Sequence, residues 1–128
     1  MIRHQPVTLA IWLLSGVFLI LAGLFVAAPA AAAAFYGLPA HDRSTLFYVR
    51  AIGFRDLALA AYLIGLTLAG QRHALAIVLT CTLIIPVGDL LLVLASGAGR
   101  PVHYLLHGAS LLGFAGMALW TRCAAREP

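Results

Sequence analysis

Charge is scarce in this sequence, and lysine is missing altogether. Eight basic and four acidic residues make up 9% of 128 positions, where a soluble domain carries about 25%. That is too little polar surface to cover a water-soluble fold, and a chain that is 63% hydrophobic is no disordered tail. Cysteine is nearly absent: Cys81 and Cys123 form no CxxC and share no pairing spacing, so they read as free thiols rather than a disulfide scaffold. Several motifs are also lacking: a serine nucleophile elbow, a glycine-rich phosphate loop, a haem motif and HExxH. No named reaction, metal or cofactor is therefore assigned.

What is present is apolar length. Mean hydropathy is +1.03, which leaves an integral membrane protein. Four apolar segments run over about 7–28, 45–70, 74–96 and 102–121. Each can cross ~30 Å of hydrocarbon at 1.5 Å per residue. None alternates in the manner of a barrel strand. The expected fold is all-α, a single membrane domain over 1–128 with four antiparallel helices running up-down-up-down, because short links make sequence neighbours antiparallel.

The first segment resembles a secretory signal, with Arg3 ahead of it and the alanines at 27–34 as a small-residue cleavage region. Its 22 residues from Val7 to Ala28 exceed the ~7–15 of a signal core. It is read as a retained first membrane helix. Pro29 and Pro39 then bracket a short stretch read as an interfacial helix, with Phe35 and Tyr36 at headgroup level.

A pI near 9.7 suggests nucleic acid, but most of the arginines stand singly at the edges of apolar runs, which orients a membrane protein. Nucleic-acid binding is excluded on that ground. Four crossings put Arg3, Arg72, Arg122 and Arg126 on one side, with Arg43 and Arg100 on the other. The positive-inside rule then places both termini in the cytoplasm of a multi-pass protein of the inner (plasma) membrane.

The chemistry lies in the polar residues inside the apolar runs. The second segment holds Arg50, Arg55 and Asp56, the third Asp89, and the fourth His103 and His107. A charge at mid-membrane costs about 2.5–3.5 kcal/mol, and a large apolar residue returns only about 0.5. Three charges in one helix nearly cancel its apolar gain, so they should face protein or water. At helical rise, Arg50, Asp89 and His107 lie about 8–10 Å in from one edge, and Arg55 and Asp56 roughly 15 Å. Three helices thus place ionisable groups in the same half of the membrane, which predicts a polar pocket between them. Tyr48, Arg55 and Tyr62 share a stripe by sevens, as do Thr82, Asp89 and Ser96. Arg50 points away from Arg55 and can snorkel to the interface. Pro86 frees the Thr82 carbonyl and kinks the helix beside Asp89.

The segment Phe47-Tyr48-Val49-Arg50-Ala51-Ile52-Gly53-Phe54-Arg55-Asp56-Leu57-Ala58-Leu59 resembles the R-x-x-G-x-R-D-x-x-L pattern of a small bacterial and fungal membrane family, catalogued as a domain of unknown function numbered 4267. Ile85-Pro86-Val87-Gly88-Asp89 resembles its I-P-x-G-D, and His107-Gly108 its later H-G. The resemblance spans about Phe35 to Gly116. It implies a four-helix membrane protein whose polar positions include Arg50, Arg55, Asp56, Asp89 and His107, and it implies no activity. His103 falls outside the pattern.

Two function classes follow from the residues. In the first, the pocket binds or converts a lipophilic small molecule by acid–base chemistry. Asp89 and Asp56 act as base or counter-ion and His107 as acid or donor. Arg55 anchors an anionic or carbonyl oxygen, with Arg50, Tyr48 and Tyr62 beside it. In the second, the chain is an accessory or oligomeric subunit whose buried charges only specify helix packing. Gly16, Gly23, Gly113 and Gly116 are read as helix-contact faces, within the chain or in a homo-oligomer. His103, His107 and Asp89 also suggest a two-His-one-carboxylate metal site, but His103 sits at the membrane edge. A cavity lined by Arg55, Asp56, Asp89 and His107 marks a pocket. A dry, fully paired network marks packing.

Overall fold

The computed structural model describes residues 5–126. Arg3 and the side chain of Arg126 lie outside the described residues. The described residues form helices joined by short connections, with no strand among them, in the order α1 (Gln5–Ala27), α2 (Pro29–Tyr36), α3 (Arg43–Leu68), α4 (Arg72–Thr82), α5 (Ile84–Ser96) and α6 (Pro101–Arg126). Four stretches are long and apolar enough to cross a membrane: Pro6–Ala27, Arg43–Leu68, Arg72–Ser96 and Pro101–Ala125. Their outward faces carry Leu13, Ile20, Leu91, Leu105 and Leu112, all well exposed. So much exposed apolar surface belongs in lipid, and the protein is a multi-pass membrane protein.

Local chemistry sets the helix ends. Pro29 occupies the start of α2, where a missing N–H costs nothing. Gly37, at φ 101°, ends it. The Gly37 N–H donates to the Ala34 carbonyl and the Leu38 N–H to that of Ala33, a Schellman closure. Asp42 caps α3 by accepting from the Thr45 N–H at 2.8 Å. At α6, Pro101 follows Arg100, and the His103 Nδ1 accepts from the Arg100 N–H at 3.0 Å. That is the reach-back of a capping box, with imidazole in place of a carboxylate.

The third span is not one helix. It breaks at Leu83, between Thr82 and Ile84. Pro86 cannot donate to the Thr82 carbonyl, so the ladder fails one residue after Thr82, where the proline chemistry predicts a kink. The Thr82 hydroxyl turns instead to the Val78 carbonyl at 2.8 Å.

α1 packs along α3, and α6 packs along α4 and α5; α2 fills the angle between α1 and α3. Gly53 allows the α1–α3 contact, since a Cβ there would stand 2.8 Å from Val26 and 3.0 Å from the Ala22 carbonyl oxygen. Two apolar cores result. One gathers Ile11, Phe18, Leu63, Leu79 and Phe114. The other gathers Phe25, Ala32, Ala33, Tyr36, Val49 and Val93.

Candidate functional site

On α3 the buried residues are Val49, Gly53, Asp56, Leu59, Ala60 and Leu63, spaced by threes and fours along one helical stripe, with Leu59 and Ala60 side by side. Asp56 therefore points inward. Its neighbour Arg55 sits at the rim and reaches back over it. The Arg55 Nε and Nη2 both lie 3.1 Å from Asp56 Oδ1. The Arg55 Nη1 lies 3.5 Å from Asp89 Oδ1. One guanidinium thus bridges two carboxylates carried by α3 and α5. The Asp56 side chain is 3% exposed, that of Asp89 15% and that of Arg55 34%.

His107 reaches the same region from α6. Its Nε2–H donates to the Tyr36 carbonyl at 2.8 Å. A carbonyl oxygen only accepts, so Nε2 carries the proton. The two rings meet edge to face at 4.7 Å, and Tyr36 meets Phe25 in the same way at 6.4 Å. The Tyr36 phenol faces the Asp89 carboxylate.

These groups line one cavity of about 80 Å³. Arg55, Asp56, Asp89 and His107 form its polar wall, with Thr82 and Ser110 nearby. Phe18, Phe25, Phe35, Leu59 and Phe114 form its apolar wall. The wall draws on both cores, so the cavity lies where they meet. It exceeds the ~15 Å³ a single water needs and falls short of the ~150 Å³ that holds a benzene.

Other residues singled out in the sequence go elsewhere. Arg50 donates from Nε to the Val26 carbonyl at 3.2 Å and lies over the Phe47 ring at 5.4 Å. It satisfies one of the orphan carbonyls at the end of α1. Tyr48 and Tyr62 face outward from α3, 78% and 57% exposed, and neither lines the cavity. Ser96 bonds the Val93 carbonyl at 2.8 Å. His103 is occupied at the start of α6, and among the described residues no three His, Cys, Asp or Glu side chains cluster as metal ligands. Gly16, Gly23, Gly113 and Gly116 have no neighbour within 4 Å of a built Cβ, so they make no close helix contact among the described residues.

Tyr36 is the residue that sequence reasoning placed differently. It is buried, while Phe35 beside it is exposed. The signal was present: Pro29, Ala32, Ala33 and Tyr36, the buried residues of α2, follow helical spacing. Three of the four are small, so the stripe is easily passed over.

The motif segments now divide by task. In R-x-x-G-x-R-D, Arg50 and Gly53 seat α3 on α1, while Arg55 and Asp56 build the site. In I-P-x-G-D, Pro86 breaks the span and Asp89 enters the site. His107 of H-G ties α6 to α2. No curated protein and no solved structure matches the chain. The family model described as Domain of unknown function (DUF4267) matches residues 15–121, and the chain belongs to that family.

Proposed function

We propose that the cavity receives the polar end of a lipophilic small molecule and binds or converts it by acid–base chemistry, with the apolar remainder lying along the open side of the bundle. The carrying observation is that Arg55, Asp56, Asp89 and His107, from three spans, line one cavity with an aromatic and aliphatic wall. Keeping ionisable groups within a membrane is costly, and such groups mark functional sites by default. Asp89 is the group best placed to exchange a proton, since it keeps some exposure and pairs with Arg55 only at 3.5 Å. Asp56 serves as the fixed counter-ion. His107 is a positioning residue for Tyr36, because its Nε2 proton is committed to the carbonyl.

The packing reading has one observation in its favour. Among the described residues, every buried side-chain nitrogen and oxygen has a partner. Asp89→Asn separates the two readings. As a pocket protein, the variant folds and loses its ligand. As a packing device, it fails to accumulate as folded protein. Native mass spectrometry of the protein extracted in mild detergent reads the first outcome directly: a small molecule retained by the unaltered chain is lost from Asp89→Asn and Arg55→Ala. A bare chain under the same conditions, with Asp89→Asn unable to fold, would sink the pocket.

The proposal includes the setting. Spans one to four run up-down-up-down in the inner membrane, with both termini cytoplasmic. The Arg50 bond to Val26 and the packing of Gly53 on Ala22 support this order, because they set the start of α3 against the end of α1.

A further inference from the structure

We infer that the head group this cavity selects is a cation, the protonated amine of a lipophilic molecule; the inference rests on the pocket reading above. The ion-pair cluster contains one guanidinium and two carboxylates. Among the described residues no other cationic side chain comes within 4.0 Å of either carboxylate. Two of Arg55's three nitrogens go to Asp56, which is almost fully enclosed. The Arg55 charge is thereby matched. Asp89 has one cationic partner, Arg55 at 3.5 Å, with the neutral Tyr36 phenol as its other neighbour, and it lines the cavity. The surplus negative charge is therefore on the carboxylate that borders the open space.

An anionic head would meet that surplus charge and an arginine already occupied. Of the anionic or carbonyl oxygen that the sequence assigns to Arg55, the anionic one fits this geometry poorly. An ammonium fits it well. It would sit against Asp89 with charge-assisted N–H donation. The remaining wall suits a cation too. Phe18, Phe25, Phe35, Tyr36 and Phe114 all line the cavity, and aromatic side chains attract cations more strongly once water is excluded. The volume of about 80 Å³ admits an ammonium head and leaves the alkyl chain outside.

The test is a matched series of probes that differ only in the head: decylamine, decanol and decanoate. Each is titrated against the full-length protein in nonionic detergent, with bound mass and thermal midpoint as readouts. Decylamine is expected to bind about tenfold more tightly than decanoate, a gap of about 1.4 kcal/mol. Asp89→Asn should remove the preference. Phe35→Leu, at a half-exposed position that tolerates the change, should weaken decylamine more than decanol. Equal binding of decanol and decylamine would overturn the cation while leaving the pocket in place, and so would a preference for decanoate. Binding of none of the three overturns both the cation and the pocket.

Discussion

At the scale of single residues, the two carboxylates of the site are not equivalent. Asp56 is enclosed and takes two Arg55 nitrogens, whereas Asp89 takes one at longer range. Removing one partner of a buried pair strands the other. Asp56→Asn is expected to cost stability toward the low end of the roughly 3–5 kcal/mol typical of such losses, because Arg55 keeps some exposure. Asp89→Asn should cost clearly less. Thermal unfolding in detergent compares them, and equal losses would show that the pairs are equivalent. Asp42 offers a test outside the membrane. Hydrogen bonds from Ser44 and then Thr45 hold its carboxyl well below the usual carboxylate range. A lowered folded value means that its contribution is present above the ordinary carboxylate value and is lost as pH falls through the folded one. Amide exchange at Thr45 should therefore stay slow from neutral pH down through mild acid. Asp42→Ala should speed it throughout that range, and exchange unaffected by that change would remove Asp42 as the cap.

At the scale of elements, the glycines separate into two kinds. Gly53 lies under α1, with Val26, Ala22 and Phe25 within 3.0 Å of an added Cβ. Gly116 has nothing within 4 Å. Gly53→Ala is expected to force α3 away from α1 and lower the thermal midpoint, by an overpacking cost of about 1–3 kcal/mol. Gly116→Ala should leave the folded chain as stable or slightly more so, since alanine favours helix by up to about 1 kcal/mol. The same variant bears on the proposed homo-oligomer. If Gly116 faces a second copy, crosslinked dimer falls while the monomer stays folded. The span break at Leu83 belongs to this scale as well. It lets α5 take its own course, and α5 carries Asp89 to Arg55.

The whole molecule was legible in the sequence to the extent that helical geometry governs it. Apolar run lengths located the four spans, and rise per residue placed Arg55, Asp56, Asp89 and His107 in the same half of the membrane, Arg55 and Asp56 the deeper, and one cavity joins them. Periodicity reveals which residues share a stripe but not whether the stripe looks inward. Tyr48 and Tyr62 share one with Arg55, yet the inward stripe of α3 is the neighbouring one through Asp56. Tyr36 shows the same limit: local spacing places it on one stripe with Pro29, Ala32 and Ala33, but its partner His107 lies 71 positions away in the chain, and no local pattern names that partner.

Orientation in the membrane depends on charge at the span ends, and Cys123 provides a probe of it. It is a free, exposed thiol beside Arg122 at the end of the fourth span. Cys81, the other free thiol, lies within the third span. With the C-terminus in the cytoplasm, a membrane-impermeant maleimide added to intact cells should leave Cys123 unlabelled, and permeabilisation should expose it. A Cys81→Ser background makes the assignment unambiguous. Labelling of intact cells would reverse the topology, putting Arg72 and Arg122 outside and Arg43 and Arg100 inside. The polar cluster, which lies in the half nearer Arg43 and Arg100, would then occupy the cytoplasmic half of the membrane.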